Sequence, residues 1–414
     1  MKSKACLLIL FLAPIAYADE PCVQPDLHAA AMHVKTIQTR LLAFKLQSEQ
    51  DESVPVPLQA EIRAFKDSLS LFADAKLQCA PAIADPKLIE SGLANLLEAN
   101  KSEKNEVYDP KKPPQLDHIY GDWITVKVTA PANPPNILLV EFGFGIACGS
   151  DSVLLIFERQ HGRWGQRMRW QSGGYDEVSG AFGDFLQYQI VQQRNSATWL
   201  LAVAHGEPWC TSRWSGFHLD VLQPPAGSSP QQSLFQLTTG YIRFEIDPTM
   251  KLTSDGFQLR LETDSLDNDL MTRPGIFRYR ISGKQVTRVQ PIALNGRDFV
   301  DEWLKSPWSE AGKWSAQARL SNLETSHKKI ATLKDPNAKE TPNFTFGPVR
   351  TCSDSKLHFQ VELDEGWWVE QQKDWRPDKP TFFEIQEGKN SFTMLSASGQ
   401  PDQHCTGPDI MPKQ

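Results

Sequence analysis

Sliding the chain against itself by 62 residues aligns two segments without a gap, and an internal echo of this kind limits the fold more sharply than any single motif. Gly121-Asp122-Trp123-Ile124 falls on Gly183-Asp184-Phe185-Leu186, and Leu138-Leu139 falls on Leu200-Leu201. In the same register Cys148-Gly149-Ser150 meets Cys210-Thr211-Ser212, and Phe157-Glu158 meets Leu219-Asp220. Seven of the positions from 121 to 158 are identical to their partners. Many of the others are apolar in both copies at alternate positions, which is the periodicity of a strand with one face buried.

A second recurrence has the same meaning. Leu154-Leu155-Ile156-Phe157 with Gly162-Arg163, Ile276-Phe277-Arg278-Tyr279 with Gly283-Lys284, and Phe382-Phe383-Glu384-Ile385 with Gly388-Lys389 each read as an apolar strand, a glycine turn and a returning strand. Glycine supplies the positive φ that such hairpins need. Cys352-Ser353-Asp354-Ser355 repeats the cysteine, aspartate and serine of Cys148-Gly149-Ser150-Asp151-Ser152 ahead of a strand, so residues 342–414 read as a further β unit. The fold class expected is mainly β, built from repeated four-stranded units and propeller-like, with tandem β-sandwiches as the competing architecture.

The N-terminal part has a different period. Leu27, Ala31, Val34, Leu41 and Phe44 share one helical stripe, and Leu58, Ile62, Phe65, Leu69 and Phe72 share another. The Pro-containing turn between them predicts an antiparallel α-helical hairpin, and a third short helix follows with Asp85 as N-cap and Pro86 at its first position. Ahead of the hairpin, Lys2 and Lys4, an apolar run from Cys6 to Ile15, and Ala16-Tyr17-Ala18 have the form of a secretory signal peptide. The expected organisation is a signal peptide over 1–18, a helical hairpin domain over 19–100, a linker over 101–117 and a repeated β region over 118–294. A short helix and linker over 295–341 and the C-terminal unit over 342–414 complete it.

Charge and cysteine content bound the function. There are 43 Lys and Arg against 50 Asp and Glu, a net −7 that becomes −9 without Lys2 and Lys4. With no basic stripe to offset it, nucleic acid is not an expected partner. No later window is long and apolar enough to span a membrane. Removing Cys6 with the signal leaves six cysteines, an even number that in an exported chain favours disulfides. Pairing within units gives Cys22 with Cys79, Cys148 with Cys210, and Cys352 with Cys405. The expected location is periplasmic or secreted.

The densest cluster of chemistry-bearing side chains is the loop from His205 to Trp214. It holds His205, Glu207, Trp209, Arg213 and Trp214 around Cys210. A loop closed by a disulfide loses little further entropy on binding, and aromatic and arginine side chains dominate interface energetics. These five are the candidate binding residues. The bland alternative is that the tryptophans cover core beside a disulfide. His205-Gly206-Glu207 followed by Pro208 and Cys210 lacks the second cysteine of a zinc-deaminase motif, so neither a metal nor a cofactor is expected. Asp264, Asp267 and Asp269 match no calcium loop and read as a solvated acidic turn. No G-x-S-x-G elbow is present. The sequence therefore points to an extracytoplasmic, non-catalytic binding or interaction protein with a protein or glycan partner. The alternative is a secreted hydrolase of an envelope or extracellular polymer, whose paired carboxylates would be set by the fold rather than by sequence spacing.

Overall fold

The structure is a computed structural model. It describes residues 26–44, 54–81, 83–100, 120–146, 149–172, 186–206, 214–225, 231–242, 247–332, 342–369, 374–377 and 379–411. The expected signal peptide, the 101–117 linker, Cys22, Cys148 and Cys210 lie outside the described residues.

Three helices open the described chain: α1 (Leu27–Leu42), α2 (Val56–Leu77) and α3 (Pro86–Leu97). Each starts where its first residues dictate. Asp26 caps α1 by accepting from the Ala29 amide, Pro55 stands before α2, and Asp85 caps α3 by accepting from the Lys87 amide. Leu58, Ile62, Phe65, Leu69 and Phe72 form the fully buried stripe of α2.

The rest is mainly β, in four antiparallel meanders taken in chain order. Sheet 1 comprises β1 (Ile124–Thr129), β2 (Ile137–Ile146), β3 (Gly149–Gln160) and β4 (Arg163–Gln171). Sheet 2 comprises β5 (Leu186–Gln192), β6 (Trp199–Gly206), β7 (Trp214–Gln223) and β8 (Gln232–Ile242). Sheet 3 comprises β9 (Thr249–Thr253), β10 (Gly256–Asp264), β11 (Thr272–Ser282) and β12 (Gln285–Arg288). After helices α4 (Gly296–Lys305), α5 (Trp308–Ala311) and α6 (Leu320–Thr332) comes sheet 4. It comprises β13 (Pro342–Cys352), β14 (Ser355–Val369), β16 (Thr381–Gly388) and β17 (Ser391–Ser398), with the short β15 (Asp374–Pro377) paired to β14.

The 62-residue echo is the relation between sheets 1 and 2. Strands β1 and β2 begin at Ile124 and Ile137, while β5 and β6 begin 62 residues later, at Leu186 and Trp199. The three recurrent hairpins are β3–β4, β11–β12 and β16–β17, the closing hairpins of sheets 1, 3 and 4. The turn glycines Gly162 and Gly283 have φ of 81° and 61°, a region in which a side chain would be strained.

Alternation along the strands sends successive residues to opposite faces and so decides how the sheets stack. Leu138, Val140, Phe142 and Phe144 share a core with α1, α2 and α3, so the helical segment is packed onto sheet 1. Ile137, Leu139, Leu154 and Ile156 on the other face meet Trp199, Leu201, Val203 and Leu222 of sheet 2. The opposite face of sheet 2, through Leu200, Ala202, Phe217 and Leu219, packs on Phe257, Leu259 and Tyr279 of sheet 3. The two copies thus meet through equivalent faces, as the layers of a sandwich do, although the unit itself is the four-stranded meander expected of a blade. No hydrophobic cluster among the described residues joins sheet 1 to sheet 4. The propeller-like units are stacked in sequence order, and among the described residues no shared core closes them into a ring. At the edge between sheets 2 and 3, Gln189 accepts from the Leu252 amide at 2.7 Å and donates to the Met250 carbonyl at 2.8 Å, so a side-chain amide stands in for a strand.

Sheet 4 buries Phe344, Val361, Phe383 and Ile385 against α4 and α6. Here the structure departs from the reading of residues 306–341 as linker, because α6 is a 13-residue helix. Its Leu323, His327 and Ile330 are buried at spacings of four and three, amid polar neighbours that make the stripe too thin to stand out in the sequence. The acidic turn also differs from its reading. Asp267 is buried and accepts from the amides of Asp269, Leu270 and Phe346, so it organises the turn instead of facing water. Cys352 and Cys405 form a disulfide that ties the C-terminal tail to β13, beside hydrogen bonds from Gly407 to Thr351 and from Ile410 to Val349. Cys79 is also disulfide-bonded.

Candidate functional site

His205 and Trp214 are the members of the sequence-derived cluster that lie among the described residues. His205 lies near the end of β6, directly opposite His218 on β7, and its alternation points it toward sheet 1 with Leu201 and Val203. The two imidazoles are stacked, with centroids 5.1 Å apart and planes 19° from parallel. The ring of Trp170 on β4 meets His205 edge-on at 5.0 Å. His205 is therefore buried between the sheets rather than presented on a rim. Trp214, the first residue of β7, is half-buried and pairs with Ile242. Glu207, Trp209, Cys210 and Arg213 lie outside the described residues.

Around the two histidines the contact between sheets 1 and 2 turns from apolar to polar. Asp220, two residues along from His218 and on the same face, accepts from Trp170 Nε1 at 2.9 Å and from Gln236 Nε2 at 3.0 Å. His218 Nδ1 lies 3.0 Å from the Thr238 hydroxyl. Beside this group opens a cavity of about 500 Å³, lined by Arg169, Trp170, Gln171, Asp220, Gln231 and Gln236 among others. Trp170 contributes an indole N–H and a buried ring, so it braces the wall and is no exposed stacking platform.

Trp170, His218, Asp220 and Gln236 were not singled out by sequence reasoning. One signal for them existed, since the 62-residue register places Asp220 on Glu158, an acid kept in both copies. In sheet 1 Glu158 accepts from Asn136 and Gln160, but it stands opposite Ile137 while Asp220 stands opposite Val203, so the two acids occupy different ladder positions.

Chemically, the cleft offers amide donors and acceptors, a guanidinium and one carboxylate. That set suits hydrogen bonding to a hydroxyl-rich ligand, whereas two-carboxylate hydrolysis needs a second acid across the bond to be cut. Elsewhere, the two sulfurs of Cys352 and Cys405 and a ring nitrogen of His358 lie within 4.8 Å of one another. The sulfurs are bonded to each other and are not available as thiolate ligands. Among the described tryptophans, Trp164, Trp170, Trp199, Trp303 and Trp314 are buried, and Trp123, Trp214 and Trp308 are half-buried. No described helix is long and apolar enough to cross a membrane.

No protein-family model and no curated protein matches the chain. Among solved structures, the chain is similar to the GH93 α-L-arabinofuranosidase of Fusarium graminearum in complex with arabinobiose. That match has 9% identity over 68% of each chain and a TM-score of 0.25. A putative exo-β-1,3-galactanase from Bifidobacterium bifidum matches at 10% identity, over 71% of this chain and 95% of that one, with a TM-score of 0.22. At TM-scores this low the likeness carries no argument about this chain.

Proposed function

We propose that the protein acts outside the cytoplasm as a non-catalytic binding protein for a hydroxyl-rich ligand, a saccharide, held in the cleft between sheets 1 and 2. The observation that carries this reading is the chemistry of the lining: three glutamines and a carboxylate converge on one cavity between rigid sheets, where their hydrogen bonds are pre-positioned. The Cys352–Cys405 disulfide supports an oxidising location. Glu207, Trp209, Arg213 and Trp214 stay in this proposal as candidate binding residues on the strength of their side-chain chemistry alone.

A second reading, hydrolysis of such a polymer, has one observation behind it. Asp220 is a carboxylate on the wall of the same cleft, and Glu207 is the nearest acid along the chain from His205.

Calorimetry of the purified protein with envelope-polysaccharide fragments, alongside a reducing-sugar assay, tests both. Binding without release of sugar, weakened about tenfold by Gln236→Ala for one lost hydrogen bond, is the expected result. Release of sugar that is abolished by Asp220→Asn would establish the hydrolase instead. Binding that ignores both substitutions would place the ligand elsewhere.

A further inference from the structure

The outer face of sheet 3 gathers basic side chains. One face of this sheet carries Leu259, Leu261, Phe277 and Tyr279 into the core shared with sheet 2. By alternation the other face carries Lys251, Gln258, Arg260, Arg278 and Arg280, and the four cations among them are exposed. Pairing puts Lys251, Gln258 and Arg278 in one row across β9, β10 and β11, while Arg280 stands two residues further along β11 opposite Gly256. Neighbouring side chains on such a face are about 7 Å apart along a strand and about 5 Å apart across a pair.

Lys251, Arg278 and Arg280 line a cavity of about 340 Å³ with Gln258 and Thr253. Among the described residues no carboxylate is paired with Lys251, Arg260, Arg278 or Arg280; Arg278 donates to the Gln290 carbonyl at 3.3 Å. The acid on the cavity's rim, Asp255, is paired with Arg194 at 2.9 Å. Glu262 and Asp264 follow Arg260 on the outward face of β10, and Asp264 is bound by Lys305. Like charges grouped on one sheet face without counter-charges are destabilising, and this chain is acidic overall. An external anion would relieve that repulsion.

We propose that this face is a second ligand site, distinct from the cleft between sheets 1 and 2, and that it takes a phosphate group. Arg278 and Arg280 present planar forks that match phosphate oxygens in pairs, Lys251 supplies a point charge from the opposite side, and Gln258 between them can bond a neighbouring hydroxyl. Three converging cations suit a doubly charged phosphate monoester better than a single carboxylate.

The test is titration calorimetry on the full chain with a hexose phosphate, the matching neutral hexose, and vesicles containing phosphatidylglycerol. The hexose phosphate should bind and the hexose should not, with affinity falling as salt rises from about 50 mM to about 200 mM. Arg278→Gln with Arg280→Gln should weaken phosphate binding at least tenfold. Arg260→Gln, outside the cavity lining, should change it less than threefold. All these side chains are exposed, so the fold should persist, and an unchanged melting curve confirms it. Binding to vesicles but not to the free ester would assign the phosphate to a lipid headgroup. Equal binding of the neutral hexose, no effect of the double substitution, or no binding to either phosphate probe would overturn the proposal.

Discussion

Two helical layers are pinned to two sheets by buried charge, and they are pinned differently. Where α2 lies on sheet 1, Lys66 Nζ is 2.5 Å from Asp151 of β3 and donates to the Ser172 hydroxyl at 3.0 Å, while that hydroxyl donates to Asp151 at 2.7 Å. Where α4 meets sheet 3, Arg273 bonds Asp301 at 2.7 Å and also bonds Glu302, and Arg288 reaches the other oxygen of Glu302 at 2.6 Å. All of these residues are buried. Burial pushes the Lys66 ammonium below its ordinary pKa despite the attraction of Asp151. Burial also opposes the charge on Glu302, yet Arg273 and Arg288 outweigh it and hold that carboxyl below the usual range. A lysine joint can escape strain by losing a proton, whereas an arginine joint cannot. The first is therefore the softer of the two.

The largest expected effect follows from the harder joint. Arg273→Met removes the shared partner of Asp301 and Glu302, and breaking a buried pair by removing one member costs about 3–5 kcal/mol. Denaturant unfolding should place this variant at the upper end of that range. A loss under about 1 kcal/mol would mean that apolar packing, rather than the ion network, holds α4 on sheet 3.

Sequence reasoning reached the parts of this architecture that are local or repeated. The 62-residue register located β1, β2, β5 and β6, and the Asp85-Pro86 pair marked the start of α3, because caps and alternation act over a few residues. The register drifts by β7 and β8, where the loop lengths of the two copies differ. Neither ion joint was legible, since Lys66 and Asp151 are 85 positions apart and nothing in either neighbourhood announces the other. The candidate site was legible only in part. The concentration of polar and aromatic residues near His205 was visible, but which residues face sheet 1 depends on the sheets meeting through equivalent faces. Trp170 and Gln236 come from strands that no local pattern connects to β6.

A middle-sized effect would sharpen the contrast between the joints. Asp151→Asn removes the carboxylate beside Lys66, which should cost about 3 kcal/mol at neutral pH, less than the arginine substitution. Lys66 is depressed in the folded state, so the stability tied to its neutral form is complete above its unfolded pKa and is lost as pH falls through the folded value. Removing Asp151 deepens the depression. The deficit of the variant should therefore shrink as pH is raised from neutral toward 10, and a deficit constant across that range would show that Lys66 keeps its proton regardless.

The smallest expected effect separates the joint on sheet 3 from a charge lying next to it. Asp298, in the first turn of α4, is pushed up to about 6 by burial, with Arg273 and Arg297 only partly offsetting the desolvation. A carboxyl raised in the folded state contributes stability that is complete below its unfolded pKa and is lost as pH rises through about 6. Glu302 has the opposite sign. Its contribution is present above its unfolded pKa and is lost as pH falls through its lowered folded value. Unfolding free energy measured between pH 4.5 and pH 7.5 should thus contain a component from Asp298 that declines with pH, and Asp298→Asn should remove it. At pH 7.5 the variant should match or exceed the parent by about 1 kcal/mol, well short of the full shift, because the lost attraction to Arg273 and Arg297 offsets part of the relief. The amide can still reach Asn295, whose Nδ2 donates to the Asp298 carboxylate at 2.8 Å, so the start of α4 should survive. If the parent and the variant keep the same slope across that range, Asp298 is ionised throughout, and the charge beside the joint is accommodated by Arg273 and Arg297.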